Sequence, residues 1–516
     1  MALVMKFGGT SVGSNDALRQ VLQIVQREYE NRERVVVVSS AMGGVTDFLV
    51  NLVDSAIDGN LEAIDYNIEA LRNKHHAVMD EWLSDYPDEW QAVDDALEER
   101  YAVLRESCLC IVEAGKASAE LRDAVLSTGE RLMVRVLAAI LRTNNVAAHA
   151  VDASDILVTD DCFQNAQPLY DPSLKNARNL LLPLLQEKIV PVVTGYIGAT
   201  VSGSITTLGR GGSDYSATYL ASLINADEAW IWTDVNGVMS GDPRKLKNAQ
   251  IISNISYHAV SEFAYFGAKV LHPRAVEPLI APKIPLRVCN TFNPDYAGTF
   301  INNHDPDAPK WLNAVTDING ILVFAPTLSA EQAAQNGSSP MQVIAEATLH
   351  NIIHQPVSPV ITVDSHTGRL LCYVVPTTAR RTASQESVEA LEQVLGENYP
   401  NVGWRVEPVS IVAAIGVVDV QQTMQVLNAV RAVRADLLAM GQGSPECALL
   451  VVPPRDAPRV IKRLHNMAVS AHHRLSMMAD DALCPPVPDL PSKRKRKSSR
   501  NGKRGTTPPP HRSIPL

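Results

Sequence analysis

The chain has 516 residues, too many for one hydrophobic core and enough for two to four domains. Its 46% hydrophobic content is that of a soluble globular protein, and the absence of any 18-residue apolar run leaves no helical membrane span to expect. Nine Lys/Arg fall in residues 482–516, which leaves the body with 37 basic against 55 acidic residues and makes nucleic acid an unlikely main partner.

Leu3–Phe7 is a short apolar strand that carries Lys6 and runs at once into Gly8-Gly9-Thr10-Ser11. Residues 16–29 have helical spacing, and Val35–Ser39 is the continuous β-branched run of a buried parallel strand. Strand, glycine turn, helix and strand make an α/β opening. A lysine beside a glycine turn can meet phosphate oxygens as a point charge, although here it precedes the glycines, unlike the Walker pattern. A strand-end lysine with its head in solvent is the plainer alternative. Ser40-Ala-Met-Gly-Gly-Val-Thr46 follows the second strand, at the carboxyl end where α/β sheets bind ligands.

Residues 60–125 are charged and helical, broken at Tyr86-Pro87, and read as a helical insertion. Ser127-Thr-Gly-Glu130 ends it and opens another helix, whose first-turn Glu130 can pair with a cation or simply favour the helix start. Ile189–Thr194 and Ala229–Thr233 are further strands. Between them lies the stretch richest in chemistry, Thr206-Thr-Leu-Gly-Arg210-Gly-Gly-Ser213-Asp214-Tyr-Ser-Ala217. Its three glycines permit tight bending, and Ser213 and Asp214 read as N-cap residues of a helix whose free amides attract an anion. Arg210 adds a planar fork suited to a carboxylate. Thr233-Asp234 closes one strand, and Asp242-Pro-Arg244 lies in the loop beyond. Phe266-Gly-Ala-Lys269-Val270-Leu-His272-Pro273 places another lysine near a proline that reads as a helix end, with His272 structural. The seven cysteines show no metal-ligand spacing and no other metal cluster is evident, so reduced thiols in a cytoplasmic protein are expected. The N-terminus reads as a strand, not a signal peptide.

Lys6-Phe-Gly-Gly-Thr-Ser, Ser40-Ala-Met-Gly-Gly-Val-Thr, Thr128-Gly-Glu, Leu208-Gly-Arg-Gly-Gly-Ser-Asp-Tyr-Ser, Trp232-Thr-Asp-Val, Asp242-Pro-Arg and Phe266-Gly-Ala-Lys-Val-Leu-His-Pro stand in the order found in aspartate kinases. The resemblance covers about residues 3–300. It implies an amino-acid kinase fold, a mostly parallel sheet between helices, and phosphorylation of the β-carboxylate of L-aspartate by MgATP. By resemblance, Lys6 and Asp214 are catalytic, with Lys6, Gly8, Gly9 and Thr10 on the transferring phosphates. Thr233, Asp234, Met239, Arg244, Lys269 and Val270 then lie on the ATP side, Met239 standing where the family often has Tyr. Ser40, Thr46, Glu130, Arg210 and Ser213 would hold aspartate: Arg210 its α-carboxylate, Glu130 its amino group. Mg²⁺ would ride mainly on the ATP phosphates. Another acyl-phosphate-forming amino-acid kinase, or an amino-acid sensor with little catalysis, are the alternatives.

Beyond residue 305 the resemblance implies two α+β ACT domains, 306–400 and 401–480, through which such enzymes form homodimers or higher oligomers. Strands are expected at 311–316 (completing the second unit), 320–324, 359–363, 370–375, 409–415 and 447–452. The helices expected are 341–354, 387–395, 421–439 and 457–466. The effector loops depart from the family: Phe324-Ala-Pro326 and Gly416-Val-Val replace the glycine-rich signature. Residues 482–516, with eight prolines and Lys493-Arg-Lys-Arg-Lys497, read as a disordered basic tail.

Overall fold

The structure, a computed structural model, describes residues 1–268, 271–303, 312–326, 340–353, 357–365, 368–375, 383–398, 405–417 and 419–479. Residues 1–472 form one compact unit. Beyond it, only the end of a last helix, to Ala479, is described.

The chain opens with β1 (Ala2–Phe7), α1 (Asn15–Asn31) and β2 (Arg34–Ser39). Then come α2 (Val45–Ile57), α3 (Leu61–Leu83), α4 (Pro87–Ala114), α5 (Ala119–Leu126) and α6 (Thr128–Thr143). The expected insertion is thus α3, α4 and α5, and Pro87 opens α4 at a position where its missing N–H costs nothing. Next are β3 (Ala148–Val151), β4 (Val158–Thr159), α7 (Tyr170–Gln186), β5 (Val190–Thr194), β6 (Ile197–Thr200), β7 (Ile205–Thr207), α8 (Gly212–Leu223) and β8 (Glu228–Thr233). The first part closes with β9 (Asn254–Ser256), α9 (Tyr257–Tyr265), α10 (Glu277–Ile280), β10 (Leu286–Asn290) and β11 (Thr299–Asn302).

Eight of these strands form one sheet in the order β3-β5-β2-β1-β8-β10-β11-β9, parallel except at the β10–β11 pair. A separate three-stranded sheet, β4-β6-β7, stands beside it. Period-2 alternation decides which way each residue faces. Leu3, Met5 and Phe7 enter the core built with α1, α2, α4 and α6, whereas Ala2 and Val4 enter the core shared with α7, α8 and α9. Lys6 has the parity of Ala2 and Val4, so it is on the α8 side.

The C-terminal part contains β12 (Ala314–Pro326), α11 (Pro340–Ile353), β13 (Pro359–Ser365), β14 (Gly368–Val374), α12 (Ala383–Asn398), β15 (Arg405–Ile415), α13 (Val420–Ala432), β16 (Ala439–Ser444), β17 (Cys447–Val452) and α14 (Ala457–Ala479). Its strands form one antiparallel sheet, β13-β14-β12-β15-β17-β16. One face packs on two helix pairs: α11 and α12 over Ile321, Val323 and Tyr373, and α13 and α14 over Val412, Ala414 and Leu450. The other face shares a core with Phe263 and Phe266 of the first part.

Two expectations fail here. The separate strands at 311–316 and 320–324 are one strand, because Gly320 lets Ile411 and the Tyr373 carbonyl close in rather than ending the ladder; a Cβ there would meet them at 2.6 and 2.7 Å. The helix expected through Ala439 ends at Ala432, since Arg434 turns left-handed at φ 51° and releases 439–444 to pair with β17. The expectations for Trp311, His354 and the tail 482–516 lie outside the described residues.

Candidate active site

Register brings the carboxyl ends of the central strands into one row. Phe7 sits opposite Ser39 on one side and Trp232 on the other, Ser39 opposite Thr194, and Thr233 opposite Asn290. The loops after β1, β2 and β8 therefore leave from one rim, as parallel α/β sheets arrange their ligand sites.

Two glycine turns interlock at its centre. The Gly8 N–H donates to the Trp232 carbonyl at 3.3 Å, tying the first turn to β8. A Cβ on Gly13 would lie 2.8 Å from the Gly9 carbonyl and 3.5 Å from the Gly43 Cα, so the turn after β1 and the turn after β2 pack backbone to backbone. The Ser11 hydroxyl, hydrogen-bonded to Thr291 at 2.7 Å, fixes the far side of this turn to the loop after β10.

α8 starts at this rim, though not as expected. Its N-cap is Gly211, left-handed at φ 72°, and Ser213 and Asp214 lie inside the first turn. Only glycine fits there, since a Cβ would overlap His272 at 2.3 Å. Starting the helix early frees the Asp214 carboxylate from capping, and it meets the Lys6 Nζ at 2.5 Å in a largely buried ion pair. Ser213 rests on Gly195, with its Oγ 2.8 Å from where a Cβ would be, which binds the α8 start to the end of β5.

The preceding turn is braced from behind. Asp123, fully buried on α5, accepts from the Thr207 N–H, the Thr207 hydroxyl and the Gln164 N–H, each at 2.8 Å. Burial still raises its pKa. Arg274 donates to the Leu208 carbonyl at 3.0 Å and stacks its guanidinium 4.7 Å from the Tyr215 ring. Held this way, Arg210 stands exposed at the rim and pairs with no carboxylate among the described residues. Its charge is felt by His272, whose pKa is lowered first by burial and then by Arg274 and Arg210.

Glu130, in the first turn of α6, is the opposite case, with 5% of its surface exposed. Burial pushes its carboxyl up to about 7, against the opposing pull of the Ala41 N–H, its own N–H and the nearby Lys6 charge. Glu130, Lys6 and Asp214 thus form one electrostatic group.

The remaining candidates are placed as follows. Ser40 follows β2 directly, with its N–H on the Phe7 carbonyl, while Thr46 is exposed on the first turn of α2 and Thr10 is exposed on the first glycine turn. On the other flank the Thr233 hydroxyl donates to Asp234 at 3.2 Å, and Met239 is half-buried in a bridge with Ile251. Arg244 is exposed but folded back onto Asp242, at 2.9 and 2.8 Å. α9 stops at Tyr265, so Pro273 ends no helix; it opens a short 3₁₀ turn over Pro273–Ala275. Lys269 and Val270 lie outside the described residues. Sequence reading missed Ser11, Asp123, Gly195 and Arg274. Nothing in a single chain flags their roles, because each meets a partner far away in sequence.

Interlocked glycine turns, a helix N-terminus and a buried Lys–Asp pair beside one row of parallel strand ends make an α/β rim with donors suited to an anion. Comparison with known proteins narrows that reading: residues 1–290 match the Amino acid kinase family, and the chain belongs to it. It is 36% identical over 308 residues to lysine-sensitive aspartokinase 3 of Escherichia coli, covering 60% of this chain and 65% of that protein. It is 28% identical over 481 residues to a chloroplastic bifunctional aspartokinase/homoserine dehydrogenase of Daucus carota, covering 90% of this chain and 50% of that one. The chain thus spans about half to two thirds of these relatives' lengths. Among solved structures it resembles E. coli aspartokinase III in complex with aspartate and ADP (R-state), with TM-score 0.71, 28% identity, 91% of this chain and 100% of that chain covered. It also resembles the same enzyme in complex with lysine and aspartate (T-state), with TM-score 0.72, 27% identity and 90% and 99% covered. The fold expected from sequence, a mostly parallel kinase sheet followed by an α+β part, is the fold found. No helix among the described residues is long and apolar enough to cross a membrane.

Proposed function

We propose that this protein transfers the γ-phosphoryl group of MgATP to the β-carboxylate of L-aspartate, giving 4-phospho-L-aspartate and ADP. The observation that carries the reading is the Lys6–Asp214 pair, set among the glycine turns with Glu130 buried beside it and Arg210 exposed at the rim. The likeness to E. coli aspartokinase III in complex with aspartate and ADP supports it.

A β-carboxylate is already a nucleophile at neutral pH, so no general base is required. One of its oxygens forms the new bond to the γ-phosphorus while the bond to the ADP oxygen breaks. Lys6 meets the charge spread over the γ-phosphoryl oxygens; Gly8, whose N–H is engaged by Trp232, lets the turn approach closely, and the amides of Gly9 and Thr10 and the α8 N-terminus add donors. Asp214 keeps the lysine aimed. Arg210 takes the aspartate α-carboxylate bidentately, Glu130 its ammonium group, and Ser40, Thr46 and Ser213 the remaining oxygens. Thr233, Asp234, Met239, Arg244, Lys269 and Val270 make up the nucleotide side.

Mg²⁺ fits this donor set, because Asp234 is an exposed carboxylate at the rim and a hard oxygen donor, the rest of the shell coming from phosphate and water. When bound, the ion neutralises charge on the β- and γ-phosphates. A homodimer assembled through the C-terminal sheet completes the proposal; light scattering that gives a monomer mass would remove that part.

The test is ATP turnover coupled to ADP release, with L-aspartate set against N-acetyl-L-glutamate. Free-amino-acid recognition by Arg210 and Glu130 predicts turnover with aspartate alone. Equal turnover of N-acetylglutamate would point to another acyl-phosphate-forming kinase. ADP release with neither would leave a sensor.

A further inference from the structure

The loop that carries the nucleotide-side residues is held from two sides: its ends by the kinase sheet, through Val238 and Ile252 on Thr299, and its middle by the C-terminal part. Residues 234–252 leave β8 at the rim and return towards β9. Along the way Leu246 is buried in the apolar cluster of Val315, Val412, Leu450 and Leu464, none of which belongs to the kinase sheet. The Val315 N–H at the start of β12 donates to the Ser240 carbonyl at 3.0 Å. Lys245 donates to Asp317 at 2.6 Å, and Asn248 to Asn466 at 3.2 Å.

At the centre is one buried pair. The Ser240 hydroxyl and the His465 Nε2 of α14 are 2.8 Å apart, and both residues are fully buried. The same Ser240 oxygen accepts from the Gln250 N–H at 2.9 Å, while the Ser240 N–H donates to the Gln250 carbonyl at 2.7 Å. Ser240 therefore closes the neck of the loop immediately after Met239, where Met239 bridges Ile251. An oxygen that already accepts from Gln250 has its single proton free for His465. That bond fixes the serine rotamer and, through it, the neck.

We propose that His465 is a positioning residue for the nucleotide, acting through Ser240 to hold the Met239–Arg244 segment against the rim. The inference rests on the nucleotide-side reading given above. It assigns to the C-terminal helix a part in ATP binding that is separate from aspartate binding: Arg210 and Glu130 stand on α6 and the turn before α8, elements held by Asp123, Arg274 and Ala41, not by β12 or α14. Loosening the neck therefore weakens nucleotide binding alone. The loss is that of about one buried hydrogen bond, close to tenfold in affinity.

The experiment is calorimetric titration of the full-length chain with MgADP, beside steady-state kinetics with each substrate varied. His465→Ala and Ser240→Ala should each raise the ADP Kd and the ATP KM about tenfold and leave the aspartate KM unchanged. The double variant should be no worse than Ser240→Ala alone, because that change already removes the bond to His465 together with the one from the Gln250 N–H. His465→Gln, which returns a polar nitrogen to the same space, should recover most of the affinity. A merely structural role would lower the melting temperature and leave the ADP Kd alone, and that outcome overturns the inference. So does an aspartate KM that rises as far as that of ATP. ADP binding equally to wild type and variants removes this inference alone, whereas ADP failing to bind the wild type removes the nucleotide reading as well.

Discussion

The kinase sheet and the C-terminal sheet use hydrophobic strands in opposite ways. In the first, strands run parallel, their ends align, and each end releases a loop into one rim, so polar and glycine residues collect where the apolar pattern stops. In the second, strands run antiparallel and both faces are covered: one by two helix pairs, the other by the core shared with α9. Parallel ends make a site because the dipoles of the following helices and their free amides converge there. An antiparallel sheet has no such convergence; this one instead holds backbone of the first part, its Val315 N–H on the Ser240 carbonyl and its Thr316 hydroxyl on the Phe266 carbonyl. Chemistry should therefore fail sharply when the rim is altered, and hardly at all when only the helix ends of the second sheet are challenged with ligands.

The largest effect is expected at Lys6. Lys6→Ala should lower kcat by about 10²–10³-fold, the usual cost of removing one donor from developing charge in a dry site. Both KM values should change little. It also leaves Asp214 unpaired, so Lys6→Ala/Asp214→Asn should recover any stability lost while staying inactive. A kcat within threefold of wild type by the same comparison would reduce Lys6 to a strand-end charge.

Arg210 comes next. Arg210→Lys keeps the charge but loses the two-pronged geometry, and should raise the aspartate KM about tenfold with the ATP KM unchanged. If the ATP KM moves instead, the rim is divided differently from the proposal, and Arg210 belongs with Thr233 and Asp234.

Glu130 tests the same side through pH. With its carboxyl near 7, about half is protonated in the free enzyme at neutral pH. An ammonium group binds the ionised form, so the aspartate KM should rise about tenfold for each pH unit below 7, and aspartate binding near pH 6.5 should release a proton. Glu130→Gln should remove that slope. The stability effect has the reverse sign. The folded state keeps a proton that the unfolded state loses from about 4.5 upwards, so this group lowers stability as pH rises from there to about 7, by on the order of 3 kcal/mol at most. Melting at pH 8 should accordingly favour Glu130→Gln over wild type. A flat aspartate KM between pH 6 and 8 would take Glu130 out of substrate binding.

The rim was legible in sequence where glycine turns follow apolar strands, and Arg210 stood out among its glycines. Lys6 alone read equally as a strand-end charge and Asp214 as a helix cap; only the order of motifs put them together, and the fold pairs them. What did not show were the partners held by distance. Asp123 looks like one more helical acid until Thr207, 84 residues away, is folded onto it. His465 looks like a helix-surface residue until it meets Ser240, 225 residues away. The continuity of β12 was hidden for a related reason: Gly320 reads as a break in one dimension and as a close approach in three. The cap of α8 misled because Ser213 and Asp214 have the preferences of N-cap residues, yet the left-handed turn at Gly211 lets the helix start one residue sooner than Ser213.

The smallest effect expected is that of free lysine or threonine. An amino-acid effector bound beside a helix start needs backbone amides for its carboxylate and tolerates no anion already in place. After β15 two of those donors are occupied: the Gly416 N–H donates to the Glu446 carbonyl at 2.7 Å, and the Gln422 N–H at the start of α13 donates to the side chain of Asp419, also at 2.7 Å. The α13 N-terminus thus carries its own carboxylate, and a ligand carboxylate would have to displace it and then sit beside its charge. The loop after β12 lies outside the described residues beyond Pro326, a residue with no N–H to offer. A carboxylate left without donors loses several kcal/mol, enough to move a micromolar site to the millimolar range. Neither amino acid at about 1 mM should therefore inhibit turnover appreciably, in contrast to the E. coli relative named lysine-sensitive. Half-inhibition at micromolar lysine would show that the second sheet does offer a site. Asp419→Ala, which frees the Gln422 amide, is the variant most able to create one.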